Sequence, residues 1–208
     1  MASNVAPVSQ SAPERILEAA CDLIAADGID EVRIARVARR AGASTALVHH
    51  YFSTREELLE QALIHSFEQA GDERFGEQLG NEETATQALA RGIGECLPLP
   101  GGQEREWVLW VELWLRAVRE PELRPVAARL YERYRRWMAA LIQAGVKSGE
   151  FRSGVDVERV ADVAMALLDG VGVRALIRDP AMSVDDARRL VAERLAAELG
   201  LAPGALAG

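Results

Sequence analysis

VRIARVARRAGASTALVHHYFSTR, from Val32 to Arg55, decides how the rest of the chain is read. It holds five arginines, two histidines and no acidic residue, within a 208-residue chain that carries 24 Lys+Arg against 32 Asp+Glu. A basic island kept by an acidic protein is the local footprint that attracts a phosphate backbone. The island also reads as two short helices around a small-residue turn, Ala41-Gly42-Ala43. Ile34, Val37, Ala38 and Ala41 recur at i, i+3, i+4 and i+7, whereas Arg33, Arg36, Arg39 and Arg40 take other faces. Gly42 can adopt the positive φ that ends a helix without steric cost. Ser44 is placed to cap the next helix by accepting from the backbone N–H of Ala46 or Leu47. That helix, about Thr45 to Phe52, spans ~12 Å at ~1.5 Å per residue, a length suited to a major groove. Leu47, Val48 and Phe52 anchor it inward, and Thr45, Ala46, His49 and His50 face outward. The pattern is a helix-turn-helix whose second helix reads the bases.

Upstream, Met1 to Ala12 has the Ser, Ala and Pro composition of a flexible arm and no Lys or Arg to reach a phosphate. Pro13 suits a first helical turn, Ile16, Ala20, Leu23 and Ile24 form one apolar face, and Asp27-Gly28 closes the helix. This helix completes a three-helix unit. Downstream, Ser53 or Thr54 caps a helix with Glu56 and Glu57 in its first turn, and Leu58, Leu59, Ala62 and Leu63 continue its apolar face. Gly71 to Glu83 reads as a bend and a loop, Thr84 to Cys96 as a shorter helix, and Leu97 to Gly102 as a connection rich in breakers.

Glu104 to Arg119 is a strong helix with Trp107, Trp110 and Trp114 at i, i+3 and i+7. After Pro121 and Pro125, a helix of about Arg124 to Lys147 carries Leu130, Tyr134, Trp137, Met138 and Leu141 on one side. Val155 to Ile177 is apolar nearly all round, with Gly170 and Gly172 permitting close approach. Ser183 caps a last helix striped by Ala187, Leu190, Val191, Leu195 and Leu199. No segment has the period of a strand. The expected fold is all-α with about nine helices: a DNA-binding unit over 13–58, a helical ligand-binding and dimerisation body over 59–200, and flexible tails at 1–12 and 201–208.

Composition sets further bounds. Hydrophobics at 49% and charged residues at 27% fit a globular protein, and the net charge of −8 makes any DNA binding local and salt-sensitive. The longest apolar run, near Val160 to Ile177, is broken by Asp162, Asp169 and Arg174, so no membrane span is expected. The N-terminus lacks the basic head and apolar centre of a signal peptide. Cys21 and Cys96 suit a reducing cytoplasm and have no metal-ligand spacing.

Residues Glu14 to Leu63 resemble the DNA-binding domain of the tetracycline-repressor (TetR) family. The carriers are Ile16 to Ala26, Gly28-Ile29, Val37-Ala38, Ala41-Gly42-Ala43-Ser44, His50-Tyr51-Phe52 and Arg55-Glu56-Glu57-Leu58-Leu59. The family more often has Val at Ala43, Gly at Ala46, Tyr at His49 and Lys at Arg55. Trp107, Trp110, Leu113-Trp114, Glu120-Pro121, Tyr134, Trp137, Gly149-Glu150-Phe151 and Asp169-Gly170 are similar to the C-terminal domain of the choline-responsive betaine-synthesis repressor group. Together the resemblances span about residues 14 to 200 and imply a transcriptional regulator.

The candidate DNA contacts are Arg33, Ser44, Thr45, Ala46, His49, His50, Tyr51 and Arg55. Arg33 and Arg55 are expected at phosphates, which set orientation and affinity. Arg36, Arg39 and Arg40 are expected to divide between phosphates, solvent and acids of the first helix. Thr45 can bond a base edge and Ala46 can meet a thymine methyl; with no Arg, Asn or Gln on the helix, part of the specificity would rest on DNA shape. Adjacent histidines diverge by about 100° on a helix, so His49 and His50 cannot share one metal ion.

Trp107, Trp110, Trp114, Tyr134 and Trp137 are either core or the lining of an apolar cavity for a small-molecule effector, with Tyr131 in the same stripes. A cation could sit over such rings with Asp169 or Glu112 as its counter-charge. The apolar surface of the last two helices predicts a homodimer paired as a four-helix interface, and with it a near-palindromic double-stranded operator. No cofactor is expected. No nucleophile–base pair, phosphate loop or metal cluster points to an enzyme. The expected function is ligand-released repression in the cytoplasm, with activation, or an interaction module that has lost DNA binding, as alternatives.

Overall fold

The computed structural model describes residues 10–76 and 83–207, with backbone alone for 69–76. Among these residues the chain is all-α. Its helices are α1 (Ala12–Asp27), α2 (Ile34–Ala41), α3 (Thr45–Tyr51), α4 (Arg55–Gly76), α5 (Ala85–Glu95), α6 (Gly102–Arg119), α7 (Arg124–Ser148), α8 (Val157–Leu176) and α9 (Val184–Leu199), with short 3-10 turns at Ile29–Glu31 and Pro121–Leu123. Two compact units result, Met1–Ser66 and Phe67–Gly208. The division falls within α4, later than the expected boundary at 58, because the apolar face beginning at Leu58 and Leu59 belongs to the core of the first unit through Leu63.

In the first unit α1 packs on α2 and α3. Ser11 and Glu14 form a reciprocal capping box at the start of α1 (3.4 and 2.7 Å), so the helix begins inside the stretch expected to be a loose arm. The rest of that arm, 1–9, lies outside the described residues. Gly42 ends α2 at φ 63°, and Ala43 N donates to Ala38 O (2.9 Å), the closure that only a residue free to take positive φ permits cheaply. Ser44 Oγ then accepts from Leu47 N (3.1 Å) and starts α3. Ile16, Ile24, Val37, Val48, Leu58, Leu59 and Ala62 fill the core between these helices. The Cys21 thiol is fully buried and donates to Ala62 O (3.0 Å).

α4 starts with Thr54 Oγ1 accepting from Glu57 N (3.0 Å) and continues to Gly76, so the bend expected from Gly71 is not in its first residues. The remainder of that expected loop, 77–82, lies outside the described residues.

In the second unit α7 packs against α5, α6 and α8, α8 against α6 and α9, and α5 against α9. Glu150 caps α5 from far along the chain. Its carboxylate accepts from Ala85 N (3.0 Å), Thr86 N (2.9 Å) and Thr86 Oγ1 (2.8 Å). Partial burial opposes its ionisation, but these donors outweigh that and hold it below the usual carboxylate range. The stretch after Leu201 is not a loose tail as far as it is described. It turns back through 202–206, and Leu206 is completely buried, worth about 1.5–3 kcal/mol of apolar transfer.

Candidate nucleic-acid interface and ligand cavity

α3 presents Thr45, Ala46, His49, His50 and Tyr51 to solvent, while Val48 and Phe52 are buried and Leu47 is half-buried. His50 and Tyr51 rings meet edge-on at 5.1 Å, and Tyr51 keeps 41% of its surface exposed. Ser44 is exposed but spends its hydroxyl on the α3 cap, leaving its second lone pair and its proton for a phosphate or base.

The five arginines do different things. Arg36 Nη2 pairs with Asp27 (2.6 Å), and Arg40 pairs with Asp22 through Nε and Nη2 (2.9 and 2.7 Å). Both acids stand on α1, so these two charges are compensated within the unit. Arg33 precedes α2, exposed, with one Nη1 bond to Asp30 O. Arg39 is exposed at the end of α2 and forms no ion pair among the described residues.

Arg55 reaches backbone carbonyls. Its Nε donates to Val32 O (2.7 Å) and its Nη2 to Ile29 O (2.6 Å) and Asp30 O (3.2 Å), with Glu56 3.5 Å from Nη1. Those carbonyls lie in the 3-10 turn and at Val32 just after it, and the guanidinium fork reaches all three at once. Arg55 therefore ties the start of α4 to the turn before α2. Arg33 and Arg39 are the exposed arginines of this stretch without an ion pair among the described residues.

The second unit contains a cavity of ≈ 40 Å³ between α5, α6, α7 and α8. Trp107, Trp110, Trp114, Tyr131 and Tyr134 supply its aromatic wall, Met165 and Leu168 part of its apolar floor, and Glu95, Glu106 and Asp169 its carboxylates. Trp110 sits at the centre: its ring is 6.0 Å from Trp114, 5.5 Å from Tyr131 and 5.6 Å from Tyr134. Tyr131 Oη donates to Asp169 Oδ2 (2.8 Å) and Tyr134 Oη to Glu106 Oε1 (2.5 Å). Burial raises the Asp169 pKa above the ordinary carboxylate value, the Tyr131 bond offsetting part of this. Burial, with the Asp169 charge adding to it, pushes the Tyr131 hydroxyl up as well, so it stays a donor. Among the described residues no Lys, Arg or His lines the cavity, and Asp169 has no cationic partner.

Trp107, Trp110, Trp114, Tyr134 and Asp169 are thus together on the cavity wall, and Trp137 is not. Its ring fills the space left by Gly92 on α5, where a Cβ would stand 3.2 Å from Trp137 Cη2. Glu112 does not line the cavity either, since two residues past Trp110 turn it about 200° away around α6. Tyr131, named with the aromatic stripes, is on the wall. The sequence also contained a signal for one residue it did not select: Glu106 precedes Trp110 by four and shares its helix face. Glu95 and Cys96 come from the end of α5, and no local pattern ties them to the aromatic stripes.

Trp110 also touches α4. Its ring lies 4.3 Å from that of Phe67, which is completely buried. The central ring of the cavity is in direct contact with the helix that begins at Arg55.

The family model for bacterial regulatory proteins of the tetR family matches residues 16–62, and the model for the C-terminal part of BetI-type transcriptional repressors matches residues 85–200. Among solved structures, a transcriptional regulator from Saccharomonospora viridis in complex with choline is 33% identical, covers 86% of this chain and 93% of its own, and has a TM-score of 0.77. A TetR-family regulator from Rhodococcus sp. is 28% identical, covers 91% and 100%, and has a TM-score of 0.74. The HTH-type transcriptional regulator BetI of Brucella anthropi is 24% identical over 184 residues, 88% of this chain and 91% of the relative.

Proposed function

Because the chain belongs to the tetR family, with a BetI-type C-terminal domain, and is a transcriptional regulator and not an enzyme, we propose that it is a homodimeric repressor released from its operator by a small organic cation. The observation that carries this reading is the cavity itself: five aromatic residues and three carboxylates with no basic residue among the described residues. An anionic ligand would be repelled there, and a neutral one would leave Asp169 uncompensated. A cation satisfies the carboxylate and gains up to about 2 kcal/mol from desolvated ring faces. The choline bound by the Saccharomonospora viridis protein supports a quaternary ammonium class.

Release follows from the Trp110–Phe67 contact. A cation seated against Trp110 repositions that ring, Phe67 follows, and α4 moves with it. The ligand must prefer the conformation that binds DNA less well, and a coupling of about 1–3 kcal/mol is typical. Repression requires two reading helices about 34 Å apart on successive major grooves, hence two copies and a near-palindromic operator. α8 and α9 offer the pairing surface. Ile177 and Leu190 are exposed, and a Cβ on exposed Gly170 would meet nothing within 4 Å. Thr45, Ala46, His49 and His50 read base edges, Tyr51 and Ser44 assist at the backbone, and Arg33 and Arg39 contact phosphate.

The test is fluorescence anisotropy with duplex DNA from upstream of the coding region, a scrambled duplex as control, and choline added against its uncharged isostere 3,3-dimethyl-1-butanol. Release by choline alone is expected. Equal release by both compounds, or by neither up to millimolar concentration, would remove the cation reading.

A further inference from the structure

On the other side of α5 from the aromatic cavity, a second cleft of ≈ 400 Å³ lies between α5, α9 and the returning C-terminal stretch. Its walls are Gln87, Ala90, Arg91, Gly94, Glu95, Leu99, Gln103, Arg188 and Ala205, of which the two arginines decide its chemistry. Arg91 is fully engaged: Glu83 receives its Nε and Nη2 (3.1 and 3.0 Å) and Glu95 its Nη1 (2.8 Å). Arg188 is different. It is half-buried against α5, so that a Cβ at Gly94 would be 3.6 Å from its Nη2. Its Nε is shut off from solvent without an acceptor, and its guanidinium has no ion pair or hydrogen bond among the described residues.

The shut-off Nε–H is costly, because it has lost water and gained no acceptor in exchange. We infer that this cleft is a second ligand site, for a small organic monocarboxylate bound at Arg188. Arg91 is spent on Glu83 and Glu95, so the donors left to a ligand are those of the single guanidinium of Arg188, which match one carboxylate. The free guanidinium donors match a carboxylate pair of oxygens. Gln87 and Gln103 add neutral amide donors, and Ala90, Leu99 and Ala205 offer an apolar wall to a short hydrocarbon body. Glu95 lines both this cleft and the aromatic cavity, so a carboxylate here occupies the opposite face of the wall that closes the cation site.

The experiment titrates sodium butyrate into the full-length protein by calorimetry and saturation-transfer NMR, with sodium chloride at matched ionic strength. Saturable butyrate binding is expected. Arg188→Gln should weaken it by about tenfold or more, the loss expected for a charge-assisted hydrogen bond. Asp169→Asn, in the other cavity, should leave it unchanged. Ala205→Trp, at an exposed wall position, should block binding with Arg188 intact. The ligand-free Arg188→Gln protein should melt no lower than wild type, since an uncompensated charge has been removed. Four results would overturn the proposal: no saturable binding, binding indifferent to Arg188→Gln, phosphate bound in preference to butyrate, or a lowered melting temperature of the ligand-free Arg188→Gln protein.

Discussion

Replacing Gly172 by alanine adds a single methyl group where there is no room for one. A Cβ built at Gly172 stands 2.1 Å from Trp107 Cη2, 2.3 Å from Cζ2 and 2.9 Å from Cζ3. Carbon pairs sit comfortably at about 3.5 Å or more, so the indole must retreat by about 1.4 Å. It is held by its Nε1 bond to Cys96 O (3.2 Å) and by edge-on contact with Trp114 at 6.1 Å. Overpacking of this kind costs about 1–3 kcal/mol, and weakening the buried indole bond adds about 0.5–1.5 kcal/mol. Better helix propensity of alanine returns at most ~1 kcal/mol. A net loss of about 1–3 kcal/mol should appear in urea denaturation at fixed protein concentration, a midpoint fall of roughly 0.3–1.5 M for a slope of about 2–3 kcal/mol/M. The matched control is Gly94→Ala, where the added methyl meets Arg188 at an ordinary 3.6 Å and no loss is expected. Because Trp107 lines the cavity, Gly172→Ala should also blue- or red-shift tryptophan emission and weaken choline binding. A Gly172→Ala protein as stable as the Gly94→Ala control, with wild-type emission, would refute the reasoning.

Arg33→Ala should weaken operator binding and lower the slope of log affinity against log salt by about 1, whereas Arg55→Lys, which keeps the charge but not the fork onto Ile29, Asp30 and Val32, should lower the melting temperature with the salt slope nearly intact. Choline affinity should fall as pH drops through the raised Asp169 pKa, beginning above the range of an ordinary carboxylate, because only the ionised form pairs with the cation; calorimetry between pH 4 and 8 would read this, and Asp169→Asn should remove the dependence. For stability the sign is reversed. A folded-state pKa above the unfolded one means ionisation opposes folding, so Asp169 costs stability as pH rises through that pKa, and ligand-free Asp169→Asn should be at least as stable as wild type at pH 7. Ile177→Arg should yield monomers by light scattering at micromolar concentration, and an unchanged dimer would exclude α8 from the interface.

Local rules carried the helix count and most caps. Ser44, Thr54, Thr84 and Ser183 each accept from a backbone N–H at the expected helix start, because capping involves residues three apart and is written in adjacent letters. What depended on distant partners was not legible. Arg55 is separated by more than twenty residues from the carbonyls it holds, and the acid-free stretch around it gives no sign of them. Glu150 enters the sequence reading only within the resemblance carried by Gly149-Glu150-Phe151, yet it caps α5. The small residues and closing glycine of Leu201–Gly208 concealed Leu206, whose side chain is buried entirely. In the cavity, helical spacing gathered the tryptophans of α6, but Glu95 joins them only because α5 packs on α7, and Trp137 leaves them because Gly92 makes room for it.

The division of labour around α3 bears on how such a protein diverges. The side chains that hold the first unit together, Arg55 on its three carbonyls, Ser44 on its cap and Val48 and Phe52 in the core, are separate from Thr45, Ala46, His49 and His50, which project outward without hydrogen bonds to the protein among the described residues. Surface substitutions without such bonds usually change stability by less than about 0.5 kcal/mol. In the role proposed for α3, those four positions can therefore drift almost freely in folding terms while altering which operator is read, so a duplicated copy of this gene could acquire new targets without first having to be stabilised.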